Sequence, residues 1–200
     1  MKILMRRLFL TITIAFSAIQ VADAQMLALK TDAVGYAAFA PNLGAELVTG
    51  NKTSFSLSAI GAFHSFGMDL MAFGVMPEFR YWFHGRPMTR EFIGVSLLGA
   101  TYNLKTTDQG HRKVYKGNVG AFGLTFGYVW VLGQKQRWNM ELHGGLGMYR
   151  YNQQARYGEE MNEIEWTDIR FKEKGWVILP YNVGLSFSYI LPTEKIARKF

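Results

Sequence analysis

Alternation of large apolar and small side chains restricts this chain more than any other feature. Between residues 121 and 130, positions 121, 123, 125, 127 and 129 hold only Ala, Gly, Thr or Val, and the positions between them are all aromatic or Leu: Phe122, Leu124, Phe126, Tyr128 and Trp130. Successive side chains of a β-strand point to opposite faces, so this pattern predicts a strand with one bulky face. A helix is disfavoured, because each interior glycine costs it roughly 1 kcal/mol.

Similar windows recur and together predict eight strands. They lie at 27–39, 43–47, 54–59, 75–83, 93–98, 121–130, 138–148 and 183–189, of which the first is the weakest. Short turns at 50–52, 84–90 and 133–137 alternate with longer loops at 63–70, 105–118 and 152–175. Short turns on one side and long loops on the other are typical of outer-membrane barrels. We therefore predict an all-β fold over residues 25–191, an eight-stranded up-and-down antiparallel transmembrane β-barrel with no helix.

The composition of the two faces favours a membrane over water outside the barrel. The polar faces carry mostly Gly, Ser, Thr and Ala, whereas a water-facing sheet more often carries Lys and Glu. Aromatic residues cluster near the short turns (Tyr81, Trp82, Phe83, Trp130, Trp138, Tyr189) and near the long loops (Phe63, Phe66, Tyr102, Tyr149, Tyr151, Trp176, Tyr181). Two such clusters predict interfacial aromatic girdles. A soluble periplasmic ligand-binding barrel stays an alternative, because it also alternates.

A few charged or ionisable side chains fall on the small-residue faces. They are Lys30, Asp32, Glu46, Glu78, Arg80, Glu141 and His143. Single charges in a low-dielectric interior are costly unless they are paired, and an eight-stranded barrel is just wide enough for side chains to fill. We therefore predict a packed network of ion pairs in the barrel interior and no open pore.

The two ends of the chain predict export to the outer membrane. Residues 1–24 combine basic residues, an apolar run and the small-residue triplet Ala22–Ala24, which predicts a signal peptide cleaved near Ala24. Residues 192–200 form a basic tail. Barrel-assembly machinery commonly reads an aromatic residue at the end of a barrel chain, here either Tyr189 or the terminal Phe200.

No pattern in the sequence predicts an active site, a cofactor or a metal. The chain has no cysteine, and HExxH and calcium-loop patterns are absent. His64 precedes Ser65, and His84 and His111 lie in other connections, but no motif marks a catalytic pair. We expect a non-enzymatic protein, with a lipid-modifying barrel enzyme as the alternative.

The two longest loops differ in charge and are the predicted contact surfaces. The first carries Lys105, Arg112, Lys113 and Lys116, and the second carries acidic residues that include Glu159 and Glu160. The basic loop suits lipopolysaccharide phosphates or an acidic partner, or else the two loops pair with each other. Export argues against nucleic acid as a partner, despite the net charge of +7.

Three stretches resemble a known family: LKTDAVGYAAFAPNLGAEL (Leu29–Leu47), PEFRYWF (Pro77–Phe83) and GLTFGYVWVLGQKQRWNMELHGGLGMYRY (Gly123–Tyr151). They look like an uncharacterised family of small outer-membrane β-barrels from Bacteroidota that are similar to the OmpA transmembrane domain and often lie near fimbrial genes. The resemblance implies a barrel in contact with outer-membrane lipid but no catalytic residue. It leads us to expect a structural or surface-interaction role in fimbrial or envelope assembly.

Overall fold

Eight antiparallel strands close into a ring. The computed structural model describes residues 26–64, 69–108, 111–159 and 171–191. Its elements are β1 (Leu27–Asp32), α1 (Ala33–Ala37), β2 (Asn42–Gly50), β3 (Thr53–Phe63), β4 (Asp69–Trp82), β5 (Arg90–Asp108), β6 (His111–Leu132), β7 (Trp138–Glu159) and β8 (Phe171–Ile190). Each strand pairs with the next one, and β1 pairs with β8, so the sheet is a closed barrel. The predicted all-β, up-and-down antiparallel arrangement is confirmed, whereas the predicted signal peptide and basic tail lie outside the described residues.

The strands differ greatly in length. β1 to β4 hold 6 to 14 residues, whereas β5 to β8 hold 19 to 22. β4 begins at Asp69, opposite Lys105 of β5, whereas β6 and β7 are paired as far as the His111–Glu159 rung. The ends of β5 to β8 therefore form one continuous sheet beyond the rest of the wall. We call residues 103–108, 111–118, 151–159 and 171–175 the projecting sheet.

The first strand ends earlier than its sequence pattern predicts. The expectation of one strand over 27–39 and of no helix is wrong, because β1 stops at Asp32 and the single-turn helix α1 follows. The Asp32 carboxylate accepts a hydrogen bond from the Gly35 amide at 2.9 Å, which caps the helix. The Asn42 side chain takes the place of the next strand rung, since it accepts from the Asp32 amide at 2.6 Å and donates to the Asp32 carbonyl at 2.9 Å. No helix in the described part of the chain is long and apolar enough to cross a bilayer.

A bulge in β8 reverses the alternation there. His143 pairs with Gly184, and Gly145 pairs with Tyr181. A step of two residues along β7 therefore faces a step of three along β8, so β8 holds one extra residue here. Asn182 lies in this bulge with a φ of 46°, a left-handed conformation that Asn tolerates better than most residues. As a result, Tyr181 points into the barrel and is buried, and its prediction as a girdle residue is wrong.

The outward face of the barrel is apolar. Its large exposed side chains include Leu29, Leu43, Phe55, Leu57, Phe63, Met71, Phe73, Val75, Phe79, Tyr81, Ile93, Val95, Leu97, Phe122, Leu124, Phe126, Trp130, Trp138, Leu142, Leu146, Met148, Trp176, Ile178, Val183 and Phe187. Some outward positions of the strands fall between these large side chains and hold other residues. Within the described residues, none of these positions carries a charge. We call this zone the apolar belt. On β6 it gives way to the exposed polar residues Asn118 and Lys116 of the projecting sheet.

The core sits at the short-turn end of the barrel. Trp82 is 0% exposed, packs on Phe92 with 4.9 Å between ring centroids, and donates from Nε1 to the Ser54 hydroxyl at 2.8 Å. Met88 and Val129 are buried in the same cluster. The sequence-based placement of Trp82 in an outward girdle is wrong, because Trp82 shares the inward parity of the polar positions two and four residues before it.

Candidate functional site

Arg80 is the centre of a buried ion-pair network inside the barrel. It is 1% exposed, and its Nε and Nη2 donate to Glu78 Oε2 at 2.7 Å and 2.5 Å. Its Nη1 donates to Glu46 at 3.0 Å and to Glu141 at 2.9 Å. Three carboxylates from β2, β4 and β7 therefore converge on one guanidinium, whose fork of donors suits such sharing. The Arg80 guanidinium carbon also lies 4.3 Å from the centroid of the Phe92 ring.

Lys30 and His143 extend the network towards β1. Lys30 Nζ donates to Glu141 Oε1 at 2.5 Å, and His143 Nδ1 lies 3.1 Å from that same oxygen. His143 Nε2 lies 3.9 Å from Asp32 Oδ2, which also accepts from the Ser186 hydroxyl at 3.0 Å. The hydrogen-bond donors to the Asp32 carboxylate, the Ser186 hydroxyl and the Gly35 amide, are therefore neutral groups.

All seven side chains assigned to an interior network by the sequence come together. Lys30, Asp32, Glu46, Glu78, Arg80, Glu141 and His143 form one chain of contacts, and all but Asp32 are buried. Two cations face four carboxylates, so the formal charge of the network is −2 when His143 is neutral. Burial is costly for an unpaired charge, so each partner depends on the others for its place in the interior.

A cavity of about 330 Å³ borders this network inside the barrel. Its polar floor includes Lys30, Asp32, Arg80, His143 and Ser186, and its apolar walls include Val34, Ile60, Met76, Leu98 and Val183. The volume is at the lower end of the range of pockets that hold small ligands, roughly 300–1,000 Å³. Sequence reasoning missed this cavity, because part of its lining comes from α1 and from the β8 bulge, which strand alternation does not predict. The Asn42 and Asn182 side chains at those two irregularities were the available signal.

The charged residues predicted to form two loop surfaces lie in strands instead. Lys105 belongs to β5, Glu159 to β7, and Arg112, Lys113 and Lys116 to β6, while Glu160 lies outside the described residues. The loop prediction is wrong because the backbones of the two segments pair with each other, up to the rung that joins β6 to Glu159. Lys105 Nζ lies 3.7 Å from Asp69 Oδ2, and Lys116 is exposed.

The remaining histidines lie apart from the interior network. His64 is exposed and lies 3.3 Å from Asp69, and His84 Nδ1 lies 2.7 Å from Glu91. His111 begins β6, and Ser65 lies outside the described residues. Within the described ranges, no group of three or more His, Asp or Glu side chains is arranged to hold a metal ion.

Comparison with known proteins gives one match. A family model described as "Protein of unknown function (DUF3575)" matches residues 8–191. Neither a curated protein nor a solved structure matches the chain.

Proposed function

The chain belongs to the DUF3575 family of proteins of unknown function, and we propose that it is a non-enzymatic outer-membrane β-barrel. In this proposal the barrel holds the projecting sheet at the cell surface as a contact site for an envelope or fimbrial protein. The single observation that carries the membrane location is the apolar belt.

The belt has the character of a lipid-facing surface. Exposed apolar patches above a few hundred Å² are unusual on soluble monomers and mark contact sites. Phe126 is 58% exposed at the middle of the outward face of β6, and no outward neighbour on that strand is charged between positions 120 and 132. Closure of the barrel leaves most of its wall without a free strand edge, as a bilayer requires of a spanning sheet.

The interior supports the same proposal. In a water-soluble protein, charged side chains face the solvent and large apolar ones face the core. Here Arg80 and Glu78 are buried inside the ring, while Phe73 and Leu146 are more than half exposed outside it. This inversion suits an apolar surrounding.

Aromatic and cationic side chains mark the two borders of the belt. Trp138 packs against Tyr189 at a centroid distance of 4.9 Å near the short turns, with the two rings tilted by 56°. At the opposite border, the Arg150 guanidinium lies 5.3 Å from the centroid of the Trp176 ring. Tyr and Trp at such levels suit the headgroup region, and a neighbouring cation suits lipid phosphates, including those of lipopolysaccharide.

Single cysteines test the orientation cleanly, because the chain has none of its own. We expect Asn118→Cys, in the projecting sheet, to react with a membrane-impermeant maleimide on intact cells. Lys135→Cys, in the exposed turn after β6, is the matched control and should react only after the outer membrane is permeabilised. Equal labelling of both positions on intact cells would contradict the proposed orientation.

The projecting sheet is the proposed contact surface because it offers exposed polar and charged positions on the long-loop side of the belt. Lys116, Asn152 and Lys174 all point outward there. The register allows the sheet to be cut off at a chosen rung, and the loss to the rest of the barrel is limited to the rungs that residues 69–72 of β4 form with β5. An Asn-Gly turn that joins Thr101 to Asn118, its partner across β5 and β6, removes Lys116 and shortens one hairpin, since Asn-Gly favours two-residue hairpin turns.

The role of the sheet is tested in a strain whose own gene is replaced by one that encodes the shortened barrel. The second hairpin is cut in the same way at the Tyr151–Gly175 rung, which removes Asn152 and Lys174. We expect the shortened barrel to fold, and the strain to show the same loss of adhesion or fimbrial assembly as a full deletion. A deletion phenotype that the shortened barrel fully restores would contradict the proposed role. An altered mass of lipid A or phospholipid in the deletion strain would instead favour lipid modification.

A further inference from the structure

The barrel wall has a break in strand pairing on one side of the cavity. The rungs between β1 and β8 stop at Asp32–Ser186, while β8 continues along β7 as far as Phe171. Among the described elements, residues 171–185 of β8 therefore have α1, and no strand, on their β1 side. Pro180 lies in this stretch, and proline suits a strand edge because it has no amide hydrogen to donate.

The segment that covers this break is wholly apolar. Residues 33–41 read AVGYAAFAP, with Val34, Tyr36 and Phe39 exposed on the outside. The cavity reaches the seam between the two elements, because Val34 of α1 and Val183 of β8 both line it. Val183 also belongs to the apolar belt, so the belt and the cavity meet at this seam.

The floor of the cavity has one carboxylate, that of Asp32, without a close cation among the described residues. Lys30 and Arg80 are bound to Glu141 and to the other buried carboxylates. The Asp32 side chain is 21% exposed, and its nearest basic atom is His143 Nε2 at 3.9 Å. Its hydrogen bonds come from the Ser186 hydroxyl and the Gly35 amide, which are neutral donors.

We propose that this cavity binds a long-chain amine, with the alkyl chain between the apolar walls and the ammonium group on Asp32. The network already carries a formal charge of −2, so an anionic head group would add a third uncompensated charge, whereas an ammonium group compensates one. A charge-assisted hydrogen bond to Asp32 favours the amine further. The seam between α1 and β8 is the route of entry. That route rests on the proposed membrane location, whereas the binding rests only on the cavity.

Three probes of equal chain length separate charge from hydrophobicity: decylamine, decanol and decanoate. Each is titrated by calorimetry into the folded protein in a nonionic detergent, after a gel run without boiling has verified folding. We expect decylamine to bind at least tenfold more tightly than decanol, and decanoate to bind most weakly. Equal affinities for decylamine and decanol, or tighter binding of decanoate, would overturn the proposal.

Two variants locate the site. Asp32→Asn should remove the preference for decylamine and leave decanol binding within about threefold of the parent protein. Leu98→Trp fills the cavity from β5 and should abolish binding of every probe, whereas Leu97→Trp, on the outward face of the same strand, should leave binding unchanged. Retained binding in a folded Leu98→Trp barrel would refute the site. If the protein proves water-soluble, the membrane proposal fails, and the same titrations in buffer still test the cavity.

Discussion

Replacing Arg80 by Met removes the cation on which three buried carboxylates converge. The methionine keeps the side chain's length and apolar stem but supplies no donors. Glu46 and Glu78 then lose their ion-pair partner, and Glu141 keeps only Lys30 and His143. The formal charge of the network falls from −2 to −3, and all of the remaining members except Asp32 are buried.

The expected loss of stability is large because the guanidinium is almost wholly buried. Removing one partner of a buried ion pair costs about 3–5 kcal/mol, since the charge that remains is uncompensated. Arg80 serves three such pairs, so we expect the free energy of unfolding to fall by at least that much. At about 1.4 kcal/mol for each factor of ten, the ratio of folded to unfolded protein falls by two to three orders of magnitude.

The measurement is a urea titration in lipid vesicles, with the folded fraction read from gel mobility without boiling. Adding Glu78→Gln to Arg80→Met removes the carboxylate that the Nε and Nη2 atoms bind and returns the formal charge to −2, so we expect partial rescue. The matched control is Arg150→Met, an exposed arginine on a tryptophan, which should cost about 1 kcal/mol or less.

Two results would refute this reasoning. One is an Arg80→Met barrel whose free energy of unfolding lies within 1 kcal/mol of the parent value. The other is a double variant with Glu78→Gln that is less stable than Arg80→Met alone. Either would mean that the network does not depend on its central charge.

Three further changes test the belt, the packing and the end of β1. Leu124→Arg, in the middle of the belt, should cost about 2–4 kcal/mol in lipid, whereas Asn118→Arg on the same face of β6 should stay within about 0.5 kcal/mol; equal costs would contradict a lipid-facing belt. Gly147→Leu places a side chain against the Tyr181 ring and should lower the urea midpoint by overpacking, about 1–3 kcal/mol, with an unchanged midpoint as the contrary result. Asn42→Ala removes the two hydrogen bonds that its side chain makes with the Asp32 backbone and should cost about 1–3 kcal/mol and speed amide exchange there, and unaltered exchange would count against this role of Asn42.

Much of the barrel could be predicted because strand parity is a local property. β6 alternates strictly over residues 121–130, and β7 does so over residues 138–148 except at Gly144, so their outward faces follow from the sequence alone. The same parity brings charged residues from different strands to one interior, since every even or odd position of a strand shares a face. Trp82 illustrates the rule, because its parity predicts an inward side chain although its position near a turn suggests a girdle.

The parts that could not be predicted depend on contacts between distant segments. β1 ends at Asp32 because the Asn42 side chain replaces its next rung. The sequence of β1 itself does not indicate this. The bulge at Asn182 shifts Tyr181 to the inside, where Gly123 and Gly147 leave room for its ring. The cavity depends on both irregularities, so the periodicity of the sequence alone does not predict it.

The length of the projecting sheet could also not be predicted from the local sequence pattern. Residues 105–118 and 152–159 lack a clean apolar alternation, which suggests loops. They are strands because the backbones of β5 to β8 continue to pair once the barrel has set their register. Pairing needs no apolar face where the strands leave the core.

Outer-membrane fractionation followed by a gel run with and without boiling tests the membrane barrel most directly. The account predicts recovery of the protein in the outer-membrane fraction and a mobility that changes on boiling, because a closed barrel resists the detergent until heat unfolds it. A water-soluble periplasmic protein with no mobility change would contradict the account, and the apolar belt would then need a protein partner to cover it.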